Sequence, residues 1–235
     1  MGARPGVTRA DLPAERRNVP LAPFAPPRAF SAEVSVKAIT TLRWRLDRST
    51  KRLLASRGRN GIASDQNQVF VMGNLVRLAY PEDAAMIAAI HVTSWHETYP
   101  GLLPRAEIDR HDTTSRRSLW QAAIASGHSR IAVIPDIGFA AMGRQRDPSL
   151  ADDYPDELLA LYVLRQHHGQ HHGRALLSAV RGHAPFTAWV LSGNTRAQDF
   201  YARLGARELR RESEVIDRIT LTDILLSFPS LPDSP

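Results

Sequence analysis

The 235-residue sequence predicts an α+β fold: a mixed sheet of about seven strands with parallel central strands, flanked by helices. Three observations carry this. Residues 158–164 (LLALYVL) are an unbroken apolar run, as in a strand covered on both faces. A turn holding Gly169 and Gly173 follows it, and then a helix in which Leu176, Leu177 and Val180 recur at helical spacing, with Gly182 as its stop. Residues 187–191 (TAWVL) are a second buried strand, followed by Gly193-Asn194 and a helix closed by Gly205. Around this parallel centre, the remaining strands read as antiparallel neighbours.

In chain order, residues 75–79 alternate as a strand. Pro81 then stands where helices accept proline, with Glu82 and Asp83 in the first turn. Met86, Ile87, Ile90, Thr93 and Trp95 give an amphipathic helix to about Glu97, broken by Tyr99-Pro100-Gly101. A second helix spans residues 117–126, with Leu119, Trp120, Ala123 and Ile124 inward. Residues 131–134 and 138–142 form a hairpin about Pro135-Asp136. A polar loop over 147–156 leads into the central strand. The chain closes with an antiparallel pair, 208–215 and 220–228.

Charge divides the chain in two. Residues 1–71 carry 13 basic and 5 acidic side chains, a net +8, while residues 72–235 carry 17 and 19, a net −2. The first 71 residues are a basic, Pro/Arg-rich extension, expected to be largely disordered with a candidate helix over 36–56 and a linker over 58–68. They are expected to be dispensable for activity, with the catalytic domain over 72–235. The slightly acidic remainder makes nucleic acid an unlikely partner, so a nucleic-acid-associated reading rests on the extension alone. There are no cysteines, which excludes a disulfide framework, a cysteine nucleophile and a thiolate metal site. No apolar run approaches the roughly 18 residues that span a bilayer. A soluble, cytoplasmic monomer or homodimer with no membrane partner is the expectation.

The functional signal lies in the central strand, turn and helix. A helix start offers free N–H groups and the positive end of its dipole, both of which attract phosphate. Glycine lets the backbone approach an anion, and Arg174 adds a fixed charge. His167, His168, His171 and His172 would form two i,i+4 pairs on a helix, a spacing that can bind zinc; without cysteine or paired carboxylates nearby, no metal is expected.

Three segments in order resemble the GCN5-related N-acetyltransferase (GNAT) family over about residues 75–228. LYVLRQHHGQHHGRALL (161–177) is similar to its acetyl-CoA pyrophosphate loop, Q/R-x-x-G-x-G/A. WVLSGNTRAQDFYARLGA (189–206) is similar to its second signature, N-x-x-A-x-x-F-Y-x-x-x-G. VRLAYPEDAAMIAAIHVTSWHETYPGLLP (76–104) resembles the first strand and helices of its small-molecule members. Two loop positions depart from the pattern: His168 stands where Gln or Arg is usual, and His171 where the middle Gly is usual. A Cβ at 171 crowds the approach to phosphate, whereas a protonated imidazole would help neutralise it.

The resemblance implies an acetyl-CoA-dependent N-acetyltransferase acting on a primary amine of a small molecule or peptide, without a metal. Its parallel strands would splay after Leu161, Tyr162 and Val163 to admit pantetheine. The Val163 N–H would then face the thioester oxygen. His168, Gly169, Gln170, His171, His172, Gly173 and Arg174 would hold the pyrophosphate. Asn194 would hydrogen-bond to pantetheine and Tyr201 would protonate the leaving thiolate. Glu157, six residues before Val163, matches the catalytic Glu of the histone-acetylating branch, and even spacing would put both on one face. Glu97 and His96 are weaker candidates for the base. Trp189 stands where ribosomal-protein-acetylating members carry theirs. The alternative is a non-catalytic acyl-CoA-binding or regulatory module on the same fold.

Overall fold

A computed structural model of the protein describes residues 69–71, 74–216 and 218–231. The extension over 1–68, including the candidate helix 36–56, lies outside the described residues. Strand β1 (Val69–Val71) pairs antiparallel with β2 (Asn74–Leu78), so main-chain pairing runs across the boundary read at Met72. After β2, the Arg77 guanidinium grips Asp83 at 2.6 and 2.9 Å while Asp83 also accepts the Tyr80 N–H. This pairing holds the Asp83 carboxyl below its usual range and closes the turn into α1 (Ala84–Thr98).

Helix α1 matches the expected span, but its inward face differs. Thr93 is exposed, and the polar His91 and Ser94 are buried beside Ile87, Ile90 and Trp95. A short helix α2 (Arg105–Asp109) follows. Helix α3 (Thr113–Ser126) begins four residues before the expected 117, because Asp112 caps it by accepting the Ser115 N–H at 2.9 Å. Gly127 ends it in the left-handed conformation, φ 66°. Strands β3 (Arg130–Ile134) and β4 (Gly138–Arg144) form the expected hairpin. Then come β5 (Asp156–Val163), α4 (His172–Val180), β6 (Phe186–Leu191), α5 (Thr195–Ala202), β7 (Arg207–Ile216) and β8 (Ile219–Phe228).

The sheet order is β1-β2-β3-β4-β5-β6-β8-β7. Among the described strands only β5 and β6 pair in parallel, at the centre of a mixed sheet of seven strands, β2 to β8, with β1 added at its edge. Two cores cover its faces. Leu176, Leu177 and Val180 of α4 pack with Tyr201 of α5 on one face, against Leu158, Phe186 and Phe228. Ile87 and Ala88 of α1 pack with Trp120 of α3 on the other, against Phe139, Leu159 and Ala160. Burying each of these Leu, Val or Ile side chains contributes about 1.5–3 kcal/mol, which holds the helices onto the sheet.

Candidate active site

Two features of β5 build the site. First, its register with β4 slips: Ala141 faces Ala160 and Met142 faces Leu158, leaving Leu159 as an extra residue. Leu159 and Ala160 accordingly both pack on the α1/α3 face, whereas Leu158, Leu161 and Val163 pack on the α4 face. A bulge of this kind bends its strand and increases its twist. Second, pairing with β6 stops at Leu158↔Ala188, immediately before the bulge. Beyond that point the two parallel strands separate, leaving a slot edged by unpaired main chain.

The direction of the amides along that slot follows from β4. The Tyr162 carbonyl faces Gly138, and the Leu164 N–H donates to the Ile137 carbonyl at 2.9 Å. Because N–H and C=O directions alternate along a strand, Leu161 and Val163 point away from β4 into the slot. His168 folds back so that its Nε2–H donates to the Val163 carbonyl at 2.7 Å. The Val163 N–H keeps its direction toward the slot.

A cavity of about 520 Å³ occupies the slot and continues over the start of α4. This is a size that suits a substantial organic ligand. The expected Leu161, Tyr162, Val163, His168, Gly169, His171, His172, Gly173, Arg174, Asn194 and Tyr201 all line it. Gln170 does not; its amide donates to the Gln166 carbonyl at 3.4 Å, and its side-chain oxygen lies 3.3 Å from His172 Nε2. Gly169 is left-handed at φ 78°, and His171 takes the same conformation at φ 63° as the residue before α4. The Ala175 N–H makes the first return to His171, so the N–H groups of residues 172–174 face outward as an anion cradle. Phe200 packs so closely on Gly173 that a Cβ there would lie 3.3 Å from its ring. The Nδ1 atoms of His168 and His172 are buried without a hydrogen-bond partner. Burial, with His167 and His171 nearby, pushes the His172 imidazole below its usual pKa.

The four loop histidines do not share a helix. His167 is in a single 3-10 turn, His168 is extended, His171 is left-handed and His172 opens α4, so the i,i+4 premise of zinc binding is not met. Among the described residues no group of three or more His, Asp or Glu converges as a metal site.

Asn194 caps α5, its Oδ1 accepting the Ala197 N–H at 3.2 Å, which leaves its amide N–H groups available at the cavity wall. Tyr201 is 8% exposed, and burial raises its phenol well above the usual range, with Tyr162 adding to the shift. It therefore keeps its proton at neutral pH.

Glu157 requires a correction. The bulge interrupts the alternation, so its side chain and that of Val163 lie on opposite faces of the sheet, not on one. It is 1% exposed, gripped by the Arg146 guanidinium (Nε at 2.8 Å to Oε2), and does not line the cavity. Glu97 is also engaged structurally: it accepts the Arg165 N–H at 2.9 Å, and the Arg165 guanidinium donates to its carbonyl, tying α1 to the start of the loop.

Ser94 and Thr98 of α1 and Tyr99 just after it, with Arg196 and Arg203 from α5 and its end, also line the cavity and were not anticipated. The signal for Ser94 was present: it falls in the inward stripe with Ile87 and Ile90, and its hydroxyl is buried without a partner. Behind them stands an aromatic wall. Trp95 Nε1 donates to the Tyr162 hydroxyl at 3.0 Å, His91 stacks on Tyr162 at 5.1 Å, and Trp120 Nε1 donates to His91 Nδ1 at 3.1 Å. His111 lies against Trp95 and accepts from Arg116.

A bulged central strand, a slot in a parallel pair and free amides at a helix start meet in this site. Residues 127–205 match the model of the acetyltransferase (GNAT) domain. An uncharacterized N-acetyltransferase of Bacillus subtilis (strain 168), YuaI, is 28% identical over 167 residues, covering 66% of this chain and 93% of that protein. The structure of yncA, a putative acetyltransferase from Salmonella typhimurium with its cofactor acetyl-CoA, has the same fold, with a TM-score of 0.52 and 23% identity over 69% of this chain and 99% of that one. So does a phosphinothricin acetyltransferase from Sinorhizobium meliloti in complex with AcCoA, with a TM-score of 0.51 and 18% identity over 68% and 89%. Among the described residues no helix is long and apolar enough to cross a membrane.

Proposed function

We propose that the protein transfers the acetyl group of acetyl-CoA to a primary amine of a small molecule or peptide, by direct attack. The observation that carries this reading is the Val163 N–H directed into the slot where β5 and β6 part. Pantetheine lies in the slot as a substitute strand against Leu161, Tyr162 and Val163, with an Asn194 amide N–H donating to it. The diphosphate sits over the start of α4, on the N–H groups of residues 172–174 and the Arg174 guanidinium, bordered by His168, Gly169 and His171. The amine nitrogen attacks the thioester carbon from the side of Ser94, Thr98 and Tyr99. Negative charge then develops on the carbonyl oxygen, where a fixed main-chain donor stabilises it in a site with little water. The C–S bond breaks, the thiolate takes the Tyr201 proton, the attacking nitrogen releases one proton to solvent, and the Tyr201 phenolate regains a proton from solvent before the next turnover. No part of this route needs a metal, and it suits a soluble cytoplasmic enzyme acting as monomer or homodimer.

The test is an acceptor screen that reads free thiol, run beside calorimetry with acetyl-CoA. Tyr201→Phe is expected to lower kcat by about 10²-fold while leaving acetyl-CoA affinity unchanged; an unaltered kcat rejects the acid role. The non-catalytic reading draws on His171 at a glycine position and on the His168 contact with Val163. Binding without thiol release against every amine class would favour it.

A further inference from the structure

The cavity of the slot offers no negative charge. Arg174, Arg196 and Arg203 border it together with the four loop histidines, and among the described residues no carboxylate does. Glu157 is gripped by Arg146, and Glu97 accepts the Arg165 N–H. Asp223, buried on β8 opposite Leu191, is close enough to Tyr99 to oppose ionisation of that phenol, yet it is not part of the cavity wall. On the acceptor side the wall is neutral. Burial keeps the Tyr99 and Tyr162 phenols protonated, and the Tyr162 oxygen already receives the Trp95 Nε1–H. One turn before Ser94, the buried His91 accepts from Trp120 at Nδ1 and is held neutral, its proton on Nε2. Ser94 itself lines the cavity, is 2% exposed, and has a hydroxyl without a hydrogen-bond partner. An unpaired buried hydroxyl is costly, and a ligand N–H would satisfy it.

An ammonium group entering this cavity would meet like charge and no counter-ion, and no side chain of the wall is poised to take its proton. Resting on the acetyl-transfer reading above, we propose that the acceptor binds as the free base, with Ser94 Oγ accepting one of its two N–H groups, and that the protein therefore selects a weakly basic amine: the α-amino group of a peptide or amino-acid amide in preference to the ε-amino group of lysine. These classes have pKa values of about 7.7–8.0 and about 10.4. Near pH 7 roughly one α-amine in ten is free base, against about one ε-amine in 2,500. Ser94 is a positioning residue: it turns the nitrogen lone pair toward the thioester carbon and keeps its own proton throughout. After attack the nitrogen sheds one proton to solvent and keeps the other N–H in the new amide, while the thiolate leaves with the Tyr201 proton.

The experiment measures thiol release by the full chain with acetyl-CoA, from about pH 7 to 9, for alanine amide and for Nα-acetyl-lysine amide, whose amine is the ε-amino group. The kcat/KM for alanine amide is expected to level off near pH 8, while that for the lysine probe climbs about 10-fold per pH unit throughout. The preference for alanine amide should thus shrink about 10-fold across this range. Titration of the protein itself would move both profiles alike. Ser94→Ala should raise KM for alanine amide about 5-fold, with acetyl-CoA affinity and Tm unchanged. Profiles that bend at one common pH, a preference for the lysine probe, turnover of other amines but of neither probe, or an unchanged amine KM in Ser94→Ala overturn this inference and leave the acetyl-transfer reading standing. Absence of thiol release with every amine overturns both.

Discussion

His171 shows how one side chain can set the affinity of a backbone-built site. At φ 63° it occupies a conformation that costs a non-glycine residue about 1–2 kcal/mol. Glycine would remove that strain but return about 0.5–1 kcal/mol in lost chain entropy, so the two effects nearly cancel. His171→Gly should therefore raise stability by only about 0.5 kcal/mol. Its larger effect is expected on the ligand: acetyl-CoA should bind several-fold tighter once the Cβ is gone and the backbone can approach the diphosphate. Calorimetry with acetyl-CoA decides it, and weaker binding would mean that the imidazole itself serves the phosphate. The residue-level pattern of the second signature was legible because Asn194 and Tyr201 are spaced by the helix that carries them. Ser94 could be placed on the inward stripe of its helix, but neither it nor His91 carried a sign of what it faces there.

The bulge and slot of β5 were not written in the local pattern: residues 158–164 are apolar throughout, and an all-apolar run has no alternation to break. Even spacing between Glu157 and Val163 therefore misled, and only the register with β4 reveals the extra residue. Gly138 is the complementary element on β4. A Cβ there would come within 2.5 Å of the Tyr162 carbonyl, a main-chain atom that cannot swing aside. Gly138→Ala should cost about 1–3 kcal/mol and push β5 into the slot, weakening acetyl-CoA binding as well. Gly143→Ala is the control, because its closest contact, 2.7 Å, is the end of the Leu159 side chain, which can turn away. Urea unfolding and ligand titration on the pair would separate the two; equal losses would mean that the backbone approach at Gly138 has no special role.

Over the whole molecule, element order was legible from periodicity, glycine and proline, while the starts of helices needed contacts such as the Asp112 cap. Stability against pH is a property of this scale as well. Burial, with Arg116 nearby, drives His91 well below its usual pKa, and the same causes take His111 down to about 3. Both are neutral when folded and become protonated on unfolding below about pH 6.5, so their contribution is complete above that pH and is lost as it falls. Each can remove up to about 1.4 kcal/mol per pH unit in this range. Carboxylates such as Asp83 and Asp147, whose pKa values are depressed by arginine partners, add their losses only below about pH 4. Melting temperatures should thus fall steadily from pH 6.5 to 4.5, and less steeply in His111→Gln; a flat profile would contradict the neutral state of these rings. The gap beside β5 has one more outcome. Without ligand the sheet lacks a rung, and the amides of Leu161 and Val163 have no strand to shield them. Deuterium should enter there quickly and be slowed when coenzyme A is added, so that the cofactor acts as a missing piece of secondary structure whose arrival is timed by isotope exchange.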